Sequence, residues 1–211
     1  GDFSQGNTLV GYYKGKNAAE YIAAAGYDAV SMGNHEFDYT FDILLDNMKV
    51  LTDAGVKVVD SNVINKETLV AAQQDPDRYR GLIDANAIFE KDGIKVGVFG
   101  LDTAETLTKA SPSNVKLVNF LDKEDMFKAA QAQVDELKAA GCDYIIALTH
   151  LGVDEESVGR RSVDVASAVK GIDLIIDGHS HTVMDGGEKV NDTLIVSTGS
   201  YLANVGTVVV D

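Results

Sequence analysis

Short, fully apolar runs alternate along this chain with helical stretches. That alternation constrains the fold more than any other feature. Tyr144 to Leu148 is apolar throughout, and Ile172 to Ile176 is apolar but for Asp173, as strands buried on both faces of a sheet read. Between them, Glu155 to Val169 reads as a helix closed by Gly171. Earlier, Lys16 to Ala25 is an alanine-rich helix with Gly26 as its stop, and Ala29 to Met32 is a short strand. Thr40 is placed to cap a helix carrying Phe41, Leu44, Leu45, Met48 and Leu51 at helical spacing, with Gly55 as its end and Val56 to Val59 as the next strand. Asp122 caps a long helix over Lys123 to Ala140, closed by Gly141. Asp92-Gly93 is a hairpin turn between Ile88 to Glu90 and Ile94 to Leu101. Leu194 to Ser197 and Val205 to Val210 read as a closing antiparallel pair. Asn65 to Arg80 is polar and unpatterned, a loop excursion or short helix. The sum is an α/β chain with some antiparallel pairing.

At 211 residues the chain fits one large domain. No linker, repeat or low-complexity stretch divides it. With 18 basic against 33 acidic residues the net charge is −15, which argues against nucleic-acid polymers and anionic membrane surfaces as partners. A small anionic substrate stays open, because bound cations reverse a local field. Cys142 is the lone cysteine, so an internal disulfide and a thiolate metal cluster are excluded. No apolar run is long enough to span a bilayer. The first residue is Gly1 and not Met, which is expected of a processed or excised piece.

All four histidines fall at one kind of place, just past a predicted strand. His35 follows Ala29 to Met32, His150 follows Tyr144 to Leu148, and His179 and His181 follow Ile172 to Ile176. The carboxyl edge of an open α/β sheet is where ligands bind. Imidazole and carboxylate without thiolate make a mixed N/O donor set, suited to hydrolytic metals. On an extended segment His179 and His181 would share one face.

Gly1-Asp2, Gly33-Asn34-His35-Glu36, Thr149-His150 and Gly178-His179-Ser180-His181, in that order, resemble the calcineurin-like metallophosphoesterase superfamily. Gly33 to Tyr39 and Val196 to Tyr201, with Gly206 following, resemble its 5′-nucleotidase and 2′,3′-cyclic-nucleotide phosphodiesterase branch. The resemblance implies a four-layer α/β/β/α sandwich with mixed sheets and a pair of divalent ions, with Mn, Zn, Fe, Co and Ni all compatible. It implies that Asp2 bridges the ions, that Asn34, His150 and His179 complete the second, and that His181 binds the first. His35 is implied to act on the leaving oxygen, oriented by Asp38. Glu36 reads as a turn-stabilising residue and not as an acid–base group.

The family's first Asp-x-His strand precedes its Gly-Asp block and has no counterpart in this sequence. The branch's separate C-terminal nucleotide-binding domain has none either. The expectation is a single catalytic domain over residues 1–211, acting on a small phosphorylated substrate, with nucleotides foremost. An exported or cell-surface setting and association through exposed strand edges belong to the same expectation. The rival expectation is a metal-binding module of a larger surface protein that does no catalysis.

Overall fold

The computed structural model describes residues 1–65 and 81–210. The expected loop or helix over Asn65 to Arg80 lies almost wholly outside these residues. Two short helices come first, α1 (Thr8–Tyr12) and α2 (Lys16–Ala25). β1 (Ala29–Ser31), α3 (Phe41–Asp53) and β2 (Lys57–Val59) follow, with a single 3₁₀ turn at Asn34–Phe37 after β1. Next are β3 (Val63–Asn65), β4 (Asn86–Lys91), β5 (Ile94–Asp102), α4 (Thr106–Lys109), α5 (Pro112–Val115), β6 (Val118–Phe120) and α6 (Lys123–Ala139). The last third holds β7 (Tyr144–His150), α7 (Ser162–Ala168), β8 (Leu174–Ile176), β9 (Glu188–Val190) and β10 (Thr193–Val196).

Among the described residues the main sheet has six strands in the order β4-β5-β7-β8-β10-β9. β5, β7, β8 and β10 are mutually parallel, and β4 and β9 close the two edges antiparallel. β1 and β2 form a second, parallel sheet, and β3 and β6 an antiparallel pair.

Side-chain alternation shows how the layers stack. On β5 and β7, Phe99, Leu101, Ile145 and Ala147 face α6 and α7, burying Met126, Ala130, Val134, Leu137, Val165 and Ala166. The intervening Val96, Val98, Ile146 and Leu148 face the other way, toward Ala29 and Val59 of the small sheet. On its far side the small sheet meets α2 and α3 through Ala19, Leu44, Leu45, Met48 and Leu51. The order is helix, sheet, sheet, helix: the four-layer α/β/β/α sandwich with a mixed main sheet. The sheets approach closely at Gly100, where a Cβ would overlap the Val59 carbonyl. Ser61 uses that closeness, donating both its amide and its hydroxyl to the Gly100 carbonyl at 2.9 and 2.8 Å.

Three local expectations change. The helix over Glu155 to Val169 is broken into a 3₁₀ turn at Glu155–Ser157 and α7. Gly159 turns the chain between them with φ +89°, and Asp164 caps α7 by accepting the amides of Gly159 and Arg161 at 2.7 and 3.0 Å. Val205 to Val210 is not a strand. β10 already has β8 on one side and β9 on the other, so it offers no edge, and Val205 stays 93% exposed. Thr40 stands at the N-cap of α3 but makes no side-chain cap bond. By contrast, Asp122 does accept the Lys123 amide at the start of α6.

Burial works against the Asp164 charge, but the Arg161 side chain and the two amides outweigh it and hold the carboxyl below its usual value of 3.8. A carboxyl with a depressed folded value stabilises above its unfolded value, and that stability is lost as pH falls through the folded value. Asp164→Ala should therefore cost about 1 kcal/mol at pH 7. Thermal melts from pH 7 down to pH 3 should show a smaller acid loss of Tm for the variant than for the wild type.

Candidate metal centre

The site is assembled by one buried carboxylate that ties the N-terminal segment to the turn after β1. Glu36 Oε2 accepts the Asp2 and Gly33 amides, each at 2.6 Å, and Oε1 accepts the Ser4 amide at 3.0 Å. Glu36 is 1% exposed, and burial, reinforced by the neighbouring Asp2 charge, pushes its carboxyl up. Gly33 has to be glycine, because a Cβ there would lie 2.5 Å from Asp2 Oδ1 and 2.9 Å from the His150 ring. This close approach, and not a left-handed φ, is what the position demands.

Four donor atoms converge above that turn. His150 Nε2 lies 3.0 Å from Asp2 Oδ2 and 3.2 Å from Asn34 Oδ1. Asn34 Oδ1 lies 2.9 Å from His179 Nδ1. The two imidazole rings stand edge to face, 5.0 Å apart. Burial, only partly offset by Asp2, pushes His150 down to about 4, so its ring is neutral at physiological pH. Burial also opposes the Asp2 charge, but the bond to His150 and the His35 amide hold its carboxyl below the ordinary value. An ionised carboxylate, the neutral His150 ring, a second imidazole and an amide oxygen make up the donor chemistry of Zn, Mn and their neighbours.

These residues fit a divalent cation by spacing as well as by type. Ligands about 2.1 Å from one ion stand roughly 3.0–3.4 Å from their neighbours around it. The spacings of 2.9–3.2 Å along Asp2, His150, Asn34 and His179 follow that pattern. Among the described residues no three His, Cys, Asp or Glu side chains form a metal-holding group by themselves. The cluster closes through the Asn34 amide oxygen, which meets both histidines. His150 Nε2 faces two acceptor oxygens, which hold the proton of the neutral ring on that nitrogen, while His150 Nδ1 is buried with no partner.

The remaining sequence candidates divide. His35 is at the rim, with its ring 43% exposed and Nδ1 2.6 Å from Asp38 Oδ2. Partial burial works to discharge it, but the Asp38 bond and the Asp2, Asp38 and Glu36 charges prevail and raise it above its ordinary value. Its amide donates to Asp2 Oδ1 at 2.9 Å. His150 is the last residue of β7 itself, not a residue beyond it. His181 does not join the cluster. His179 and His181 have φ of +79° and +54°, so the segment is not the extended one on which a shared face was expected. His181 is exposed and lies beside Tyr201, ring centroids 6.3 Å apart.

Two positioning residues escaped the sequence reading. Asp177, at the end of β8, accepts the Thr149 hydroxyl at 2.8 Å and the Leu151 amide at 3.1 Å, fixing the chain around His150. Its place between Ile176 and Gly178, at a strand end, was the available signal. Glu105 Oε2 lies 3.3 Å from His179 Nε2. Burial opposes the Glu105 charge, but Lys109, Ser157 and His179 hold its carboxyl down at about 2. Nothing in the Glu105 sequence context pointed to a histidine 74 residues away.

Comparison with known proteins follows the same lines. The family described as bacterial capsule synthesis protein PGA_cap matches residues 4–204. The chain belongs to that family. A 5′-nucleotidase from Diplobatis ommata is 33% identical over 204 residues, covering 97% of this chain and 32% of the relative. The calcineurin-like phosphoesterase YfkN from Bacillus subtilis superposes with a TM-score of 0.74 at 26% identity, over 94% of this chain and 65% of that one. A 5′-nucleotidase precursor from Thermus thermophilus gives 0.67 at 30% identity, over 92% of this chain and 34% of that one. The likeness supports the calcineurin-like superfamily, and the chain spans about a third of the length of the Diplobatis relative.

Glu36→Ala would strand three amides that now share one carboxylate. The expected loss is about 3 kcal/mol, read as a lower denaturant midpoint with an unchanged slope.

Proposed function

We propose that this chain is the catalytic part of a divalent-metal-dependent phosphoesterase that hydrolyses nucleotide 5′-monophosphates or 2′,3′-cyclic nucleotides. The observation that carries the reading is the convergence of Asp2, Asn34, His150 and His179 donors on one point, beside the His35–Asp38 pair. The names of the similar nucleotidases and phosphoesterases support the same class of reaction.

Asp2, Asn34, His150 and His179 would hold the ion. A divalent cation there supplies Lewis acidity toward phosphoryl oxygens and a nucleophilic water at neutral pH. The donors gathered here support one ion. The other ion that the resemblance implies, the first, would have to draw on His181, which stands outside the cluster, and on an Asp2 whose Oδ1 already accepts the His35 amide.

His35 supplies the proton chemistry. Asp38 pins Nδ1 at 2.6 Å, which fixes the ring tautomer and leaves Nε2 to protonate the departing ester oxygen. The raised value of His35 keeps a larger share of the ring charged near neutral pH than an ordinary histidine would have. Asp38 is itself tied down, accepting from Gln5 Nε2 at 3.3 Å, while its carbonyl accepts from Asn114 Nδ2 at 3.0 Å. Positioning therefore reaches the acid through side chains from the N-terminal segment and from α5.

Phosphate release from AMP, and p-nitrophenol release from bis-p-nitrophenyl phosphate, with Mn²⁺ or Zn²⁺ added, tests the reading. Turnover is expected, and His35→Ala should lower kcat by about 10²–10⁴-fold while bound metal per chain stays unchanged. Bound metal with no turnover on either substrate would instead favour the non-catalytic metal-binding module.

A further inference from the structure

His179 Nε2 meets two groups of opposite kind at the same distance. Glu105 Oε2 lies at 3.3 Å and the Lys109 ammonium nitrogen at 3.3 Å. The two are themselves paired at 2.6 Å. A carboxylate only accepts hydrogen bonds, and an ammonium only donates them. A neutral imidazole carries one proton, so each tautomer of His179 finds a different partner in this pair. With the proton on Nδ1, the ring donates to Asn34 Oδ1 at 2.9 Å and Nε2 accepts from Lys109. With the proton on Nε2, the ring donates to Glu105, and the Nδ1 lone pair points into the cluster of Asp2, Asn34 and His150 donors. Only the second form offers a ligand.

We propose that the Glu105–Lys109 pair is a tautomer switch for His179, with Glu105 the positioning residue that holds the ring in its ligating form. The proposal rests on reading the cluster as a cation site. The ring gives up its Nδ1 proton and takes one on Nε2 through solvent, so its charge does not change. Glu105 is a fixed acceptor. It takes the Ser157 hydroxyl, and its carboxylate lies 3.7 Å from Arg160. Arg160 is anchored in turn by two bonds to the Asp122 carboxylate, at 3.0 and 2.7 Å. Lys109 is half exposed and flexible by comparison, so it can yield when the proton moves. A carboxylate behind a metal-facing imidazole orients the ring and raises its basicity as a ligand.

The direct test is imidazole ¹⁵N NMR of the protein without metal and after addition of Zn²⁺. The expected result is an Nδ1-protonated His179 without metal and an Nε2-protonated ring with zinc bound. Lys109→Ala should move the metal-free ring toward the Nε2-protonated form and leave zinc affinity undiminished. Glu105→Ala should weaken zinc binding about 10–100-fold by calorimetry. Glu105→Gln keeps an acceptor oxygen and is the gentler change for the fold, and it should recover part of that affinity. A purely structural role for Glu105 would alter stability without moving the tautomer. Zinc bound to a wild-type ring whose tautomer is the same before and after addition would overturn the switch. So would wild-type affinity in both Glu105 variants. No zinc binding by the wild type would instead remove the cation-site reading beneath it.

Discussion

One amide oxygen joins the parts of this molecule that carry chemistry. Asn34 Oδ1 meets His150 and His179, which are 116 and 145 residues away. Asn34 belongs to the turn after the small sheet, His150 to the end of a central strand of the main sheet, and His179 to the loop beyond the next strand. An oxygen facing two ring nitrogens in a buried setting is costly to misplace, because water cannot replace a lost partner there. The turn, the two strand ends and the loop are therefore constrained together. Asp2 is drawn into the same arrangement by Glu36, which holds the Asp2, Ser4 and Gly33 amides on one carboxylate.

The four-layer stack is what lets these segments meet. The inner faces of the two sheets share Val59, Ala87 and Val98, and Gly100 removes the Cβ that would otherwise hold them apart. Both sheets then end their parallel strands on one side, where the backbone turns away and polar side chains emerge. α6 and α7 cover the outer face of the main sheet, and α2 and α3 that of the small one, so the strand ends beneath the site are held on both sides. This is a rigid frame for a cluster whose tolerance is a few tenths of an ångström.

Legibility in the sequence followed the range of the interactions involved. α2, α3, α6 and the Asp92-Gly93 hairpin were readable because their signals are local: a cap, a periodic apolar face, a stop glycine. β3, β6 and β9 were not. Each is a three-residue segment made a strand only by its partner across the ladder. Val205 to Val210 failed in the opposite sense, having strand composition while its expected partner β10 is already flanked by β8 and β9. The break before α7 turned on Gly159 and the Asp164 cap, whose strength depends on the Arg161 side chain folding back. For the site, motif order led to Asp2, Asn34, His150 and His179, which do meet, and to His35 with Asp38. It read the Gly-His-Ser-His string as extended, since the two positive-φ residues His179 and His181 cannot be seen in it. It gave no sign of Glu105, nor that Asp60 and Asp102 are buried carboxylates, where burial pushes Asp60 up to about 7.

The four convergent donors of Asp2, Asn34, His150 and His179 are proposed to form a cation site. Elemental mass spectrometry of the purified, dialysed protein, alongside His179→Ala and His150→Ala, tests it most directly. About one equivalent of a divalent transition metal per chain is expected in the wild type, with most of it lost in either variant. A metal-free wild type after incubation with Mn²⁺ or Zn²⁺, or variants that retain the wild-type content, would contradict it.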